Sequence, residues 1–161
     1  MSEWDDWLPP LLTIDEFNDD WLVYFEAVYS EFTKDFILTR PIFRGQPVKH
    51  KRHPMEKGKE ATFWHIISEG AVESERTPNI NRWKRIRWPK PIIEQCDSKG
   101  LRVWRERKNG EMRTHIALGD YSYLVVLAER NGYILFWTAY YVEWNNGRRK
   151  LEKRFKSSIK S

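Results

Sequence analysis

A chain of 161 residues, 40% hydrophobic and 15% aromatic with nine tryptophans, is long enough for one packed domain and too short for two ordinary ones, and its composition excludes a disordered chain. Its net charge of +5 is divided unevenly: residues 1–40 hold ten Asp and Glu against two Lys and Arg, a net −8, which leaves +13 on residues 41–161. One cysteine, Cys96, excludes an internal disulfide and a cysteine-built zinc site, no apolar run approaches the roughly 20 residues of a membrane span, and "MSEWDDWLPP" lacks the basic start and apolar core of a secretory signal. These totals imply a soluble cytoplasmic protein without a membrane partner.

The acidic segment, residues 1–40, opens with a Trp- and Pro-containing arm. "TIDEFNDDWLVYFEAVYSEFTKDFIL" then repeats Phe17, Trp21, Tyr24, Phe25, Val28 and Phe32 at three- and four-residue spacing, which predicts an amphipathic helix with Thr13 as N-cap and Glu16 completing a capping box. The basic remainder, residues 41–161, begins with a Gly-, Pro- and Lys-rich stretch that reads as a loop holding a short strand around Ile42 to Val48. A second helix is expected over 59–69 and a third in "NINRWKRIRW", ended by Pro89 and Pro91.

Beyond Cys96 the period changes. "LRVWRER", "RTHIAL", "YSYLVVLAER" and "YILFWTAYYVEW" are β-rich runs separated by "KNGE", "GD" and "NG", so four antiparallel strands joined by hairpins are expected, with "YLVVLA" a central strand covered on both faces. The tail "GRRKLEKRFKSSIK" suits a short helix that turns Leu151 and Phe155 inward. The expected fold is α+β, with N-terminal helices packed on a four-stranded antiparallel sheet and a short C-terminal helix, in one globular unit.

A field of +13 over the bulk of the chain attracts phosphate-rich partners, nucleic acid first. Within it, Lys59, Thr62, His65 and Glu69 share one face of the expected second helix, with Phe63, Ile66 and Ile67 opposite. His65 thus stands on a polar stripe, and imidazole titrates near working pH, as general acid or base chemistry requires. A surface histidine without a task fits that helix equally well. Arg82 and Arg85, at i and i+3 of the third helix, suit a phosphate clamp, because a guanidinium fork matches two phosphate oxygens. Period-two alternation in the last strand puts Phe136, Thr138 and Tyr140 on one face, a hydroxyl and a phenol pointing together. Arg113 and His115 share a face of the "RTHIAL" strand, His115 being a second candidate acid or base. Lys49, Lys51 and Arg52, with His50 and His53, make the basic loop a phosphate-contacting segment. No GxxxxGK, GxSxG or metal-ligand spacing occurs, so neither a metal nor a cofactor is expected.

Taken in order, "FRGQPV", "GKEATFWHIISEG", "NRWKRIRW" with "PII", "VWRER" and "LFWTAYYV" resemble the phage-type nucleases of the barnase, EndoU, colicin and RelE superfamily over roughly residues 41–155. The resemblance implies metal-independent RNA cleavage on the open face of a sheet. It carries catalytic roles onto His65, Lys59, Arg82, Arg85, Thr138 and Tyr140, and RNA contacts onto Thr62, Lys49, Lys51, Arg52, Arg113 and His115. It further implies an RNA substrate, such as tRNA or mRNA, and an antitoxin or immunity protein as partner. The acidic first helix has no counterpart in that pattern. A non-catalytic nucleic-acid-binding protein, and an interaction module whose acidic helix imitates nucleic acid, are the competing expectations.

Overall fold

The structure, a computed structural model, describes residues 2–160, Glu73 through its backbone only. A 3-10 turn at Ile14–Phe17 precedes α1, Trp21–Thr33, which widens into a π turn at Lys34–Leu38. The expected Thr13–Glu16 capping box forms, but on a separate short turn. Thr13 N–H donates to the Glu16 carboxylate at 2.7 Å, but this closes only the 3-10 turn. Asn18 and Asp19 then take φ of 54° and 58°, which interrupts the helical path, and Asp20 caps α1 proper by accepting from the N–H groups of Leu22 and Val23.

The sheet has six strands where four were expected. β1 (Ile42–Phe43) and β2 (Gln46–Lys49) form a hairpin, and β5 (Leu101–Lys108), β6 (Glu111–Leu118), β7 (Tyr123–Arg130) and β8 (Tyr133–Tyr141) form an antiparallel meander. The order is β1-β2-β8-β7-β6-β5, with β2 parallel to β8 through Val48–Ile134 and Lys49–Leu135. That parallel pair covers only the first residues of β8, so the outer edge of β8 beyond Leu135 faces helices instead of a strand. A two-stranded ribbon, β3 (Ser68–Glu69) with β4 (Thr77–Pro78), stands apart.

The expected 59–69 helix is shorter. α2 runs Ala61–Ile66, because Glu60 is its N-cap and the chain leaves helical geometry after Ile67 to enter β3. The third helical segment divides into α3 (Ile80–Lys84), capped by the Asn79 side chain, and α4 (Pro89–Glu94), with Pro89 in its first turn, where a missing N–H costs nothing. α5, Asn145–Ser158, is a full 14-residue helix rather than the short one expected. It does turn Leu151 into the core, with Phe155 half-buried beside it.

Two apolar clusters sandwich the sheet. On one face Tyr24, Val28, Phe32, Phe36, Phe63, Trp83 and Ile93 pack on Val125, Leu127 and Phe136; on the other, α5 covers Trp104, Leu124, Val126 and Tyr140. β7 lies between β6 and β8 and is buried from Tyr123 through Ala128, so both its faces are covered. The alternation expected along β8 fails at one point. Val126 pairs with Thr138 but Leu127 pairs with Phe136, so Trp137 is an extra residue in a β-bulge. Phe136 consequently faces the α1–α4 layer, and only Thr138 and Tyr140 share the α5 face.

Candidate nucleic-acid interface

A cleft of about 930 Å³ lies between α2, the β3–β4 ribbon and the outer edge of β8. His65, Trp64, Trp137, Lys51 and Arg76 line it. Backbone stitching builds its rim: the N–H groups of Ala61 and Thr62 donate to the carbonyls of Arg52 and Lys51, and the Lys51 N–H donates to the Thr62 hydroxyl at 2.6 Å. The basic loop is thereby held against the first turn of α2 with Lys51 at the mouth.

His65 occupies the last turn of α2, half-buried, its ring 5.5 Å from that of Trp137. Its carbonyl accepts from Arg76 at 2.8 Å and from Arg82 at 3.3 Å, and the same two guanidinium groups hold the Ser68 carbonyl at 2.6 Å each. Cations at the end of a helix satisfy the carbonyls left without intrahelical partners, so these arginines fix where α2 ends and where His65 points. Trp137 reaches the cleft because the bulge turns it. Arg113 stacks on the same indole at 4.6 Å and Arg130 at 6.0 Å, and Glu111 bridges both arginines at 3.0 and 2.8 Å.

Of the residues marked in the sequence, the fold brings His65, Thr62 and Lys51 to this cleft and disperses the others. Thr62 is buried, and its hydroxyl already accepts from Lys51. Lys59 points away from His65: it precedes α2, its ammonium sits 3.0 Å from Glu26 and over the rings of Phe25 and Tyr29, and its side chain is 13% exposed. Arg82 lies over Tyr140 at 5.4 Å and Arg85 over Tyr141 at 3.8 Å, so the expected clamp stands at the edge of β8 and does not line the cleft. Burial lowers both guanidinium pKa values, yet arginine stays protonated from so high a starting point.

Thr138 and Tyr140 do point the same way, but toward α5, where Tyr140 packs with Trp104 and Leu151. On that face His115 is buried, stacked on Trp104 at 5.2 Å and bonded to Arg154, and burial together with the nearby arginines pulls its pKa down to about 4. Lys49 is exposed on β2 over Tyr133, and Arg52 is exposed beside Met55. His50 is half-buried against Phe32, its pKa lowered by burial.

Comparison with family models, with curated proteins and with solved structures finds no match to this chain. The site therefore stands on its own geometry. Sequence reasoning missed Trp64, Arg76 and Trp137: Arg76 stands in an aperiodic stretch, and the bulge at Trp137 breaks the alternation by which a face would be read for it. No helix of the described residues is long and apolar enough to cross a membrane.

Proposed function

We propose that the cleft receives single-stranded RNA and that the protein is a metal-independent endoribonuclease with His65 as its proton-transfer group. The observation that carries this reading is the meeting of His65 and Trp137 at 5.5 Å in a cleft that also holds Trp64, Lys51 and Arg76. Indole faces stack unpaired bases, cations attract the backbone, and an imidazole beside them is placed to move a proton. The substrate 2′-OH attacks the adjacent phosphorus and the bond to the 5′ oxygen breaks, leaving a 2′,3′-cyclic phosphate and a 5′-OH end. His65 takes the proton of the nucleophile or supplies one to the leaving oxygen. Lys51 and Arg76 offset charge on the phosphoryl oxygens.

Incubation of the purified protein with total RNA in EDTA, followed by end-group analysis, tests the reading. Cyclic-phosphate ends that disappear in a folded His65→Ala protein support it. A second reading, nucleic-acid binding without cleavage, is favoured by the engagement of Lys59, Arg82 and Arg85 away from the cleft. It expects salt-sensitive binding that leaves RNA intact.

A further inference from the structure

Some half-buried or buried arginines outside the cleft rim stand beside a carboxylate. Arg113 and Arg130 share Glu111, and Arg154 holds Glu106 at 2.7 Å. Arg87 and Arg102 hold only carbonyls, and three more without a carboxylate meet along the last residues of β8. Arg82, Arg85 and Arg148, each half-buried, make no ion pair among the described residues, in a chain with 23 acidic side chains to draw on.

The three guanidinium groups gather on three tyrosines. Arg82 covers Tyr140, Arg85 covers Tyr141, and Arg148 lies 5.7 Å from the Tyr141 ring while donating to its hydroxyl at 3.2 Å. Arg82 and Arg85 also converge on Tyr123: burial raises the pKa of its phenol, and these two charges oppose the rise. The remaining contacts are neutral: Arg82 holds the carbonyls of His65 and Ser68, Arg85 that of Asn81, and Arg148 that of Val142. The Nε–H groups of Arg82 and Arg85 are buried and bond to nothing among the described residues.

Taking a guanidinium out of water is unfavourable unless an anion replaces the lost hydration, and aromatic faces and carbonyls supply only part of that. We propose that Arg82, Arg85 and Arg148 form a binding site for a phosphoryl group at the outer edge of β8, the anion that the chain itself does not provide. A phosphoryl group fits because its several oxygens accept from more than one guanidinium fork at once. Tyr140 and Tyr141 hold the forks by stacking. The site requires no cleavage chemistry and stands or falls apart from the ribonuclease reading.

The test titrates the full chain with inorganic phosphate and with a short single-stranded oligonucleotide, against sodium chloride at matched ionic strength, by calorimetry and thermal melting. Wild type is expected to bind at least one of the two probes beyond the chloride control, and Arg148→Gln to weaken that binding roughly tenfold, as loss of one charged fork implies. Arg85→Gln should do the same; because Arg85 is packed on two rings, Arg148→Gln decides if the Arg85 variant fails to fold. A response to both probes assigns the site to any phosphoryl group, and a response to the oligonucleotide alone assigns it to a nucleic-acid backbone. Response to neither, or unchanged binding in folded Arg148→Gln, overturns the proposal.

Discussion

Arg154 donates a guanidinium N–H to Nε2 of His115 across 3.2 Å, and the direction of that bond fixes the state of the imidazole. Arginine has no lone pair to offer, so Nε2 must be the acceptor and the ring is neutral with its proton on Nδ1. Nδ1 is buried and makes no hydrogen bond of good geometry among the described residues, its nearest support being the Arg113 backbone. Glu106 completes the group by accepting from Trp104 at 2.6 Å and from Arg154 at 2.7 Å. The network fastens α5 to the sheet. His115 is thus a structural base, which leaves His65 as the histidine of the proposed proton-transfer role.

This arrangement sets an acid limb of stability. Burial, the largest cause, and the Arg154 and Arg113 charges hold the folded pKa of His115 at about 4 against the facing carboxylate of Glu106, whereas the free side chain titrates near 6.5. Between those values the unfolded chain binds more protons than the folded one. The His115 contribution is therefore complete above about pH 6.5 and is lost as pH falls toward 4. His115→Gln, which keeps an acceptor for Arg154, should narrow the gap between urea midpoints measured at pH 7.5 and pH 4.5. An equal gap in the variant would place the acid sensitivity elsewhere.

Asp35 has the opposite sign. Burial raises its carboxyl to about 6, with Lys90 opposing and Glu31 and Glu94 reinforcing the shift. A folded pKa above the ordinary carboxyl value of 3.8 means that the protonated carboxyl favours the fold, an advantage present at low pH and lost as pH rises through about 6. Asp35→Asn should accordingly raise the melting temperature at pH 8 and leave it nearly unchanged at pH 4. A gain of the same size at both values would point to packing rather than ionisation.

The contact that joins the first helical layer to the sheet is a face-to-face pair. Phe36, in the π turn, stacks on Phe136 of β8 at 4.7 Å and 9°, with Phe32 on its other neighbour side at 5.3 Å, and all three are buried. Phe36→Ala empties that layer and should cost about 3–5 kcal/mol in unfolding free energy, read from chemical denaturation. A loss below about 1 kcal/mol would mean that the layer collapses to refill the space.

What the sequence made legible is what local chemistry determines. The Asn–Gly turns located the β5–β6 and β7–β8 hairpins, the unbroken apolar run located β7 at the centre, and Leu151 marked the inward face of α5. His65 and Lys51 do line the same cleft. What escaped depends on distant partners or on a single inserted residue. Nothing in "GQPVK" announces a parallel partner in β8, because that pairing closes a long stretch of chain. Helical spacing puts Lys59 with His65, but the helix starts after Glu60, and the Lys59 ammonium turns back to Glu26 on α1. The Trp137 bulge transferred Phe136 to the opposite face, which no count of alternating residues reveals.

Trp137 also offers the sharpest separation between an RNA-binding cleft and a merely basic surface. Its indole is contacted by His65 on the cleft side and by Arg113 and Arg130 through their guanidinium groups, so it is held in place before any ligand arrives. A preorganised ring that stacks one base contributes about 1–3 kcal/mol to single-strand binding, and the contribution does not depend on salt as a phosphate contact does. Trp137→Ala should therefore weaken binding of a short single-stranded RNA by that amount with an unchanged slope of log K against log salt, and Trp137→Phe should recover most of the loss. Lys51→Gln should behave in the reverse manner, with a smaller loss of affinity and a slope reduced by roughly one half to one ion. If both variants changed only the slope, the cleft would be reading charge alone, and the stacking role of Trp137 would fall.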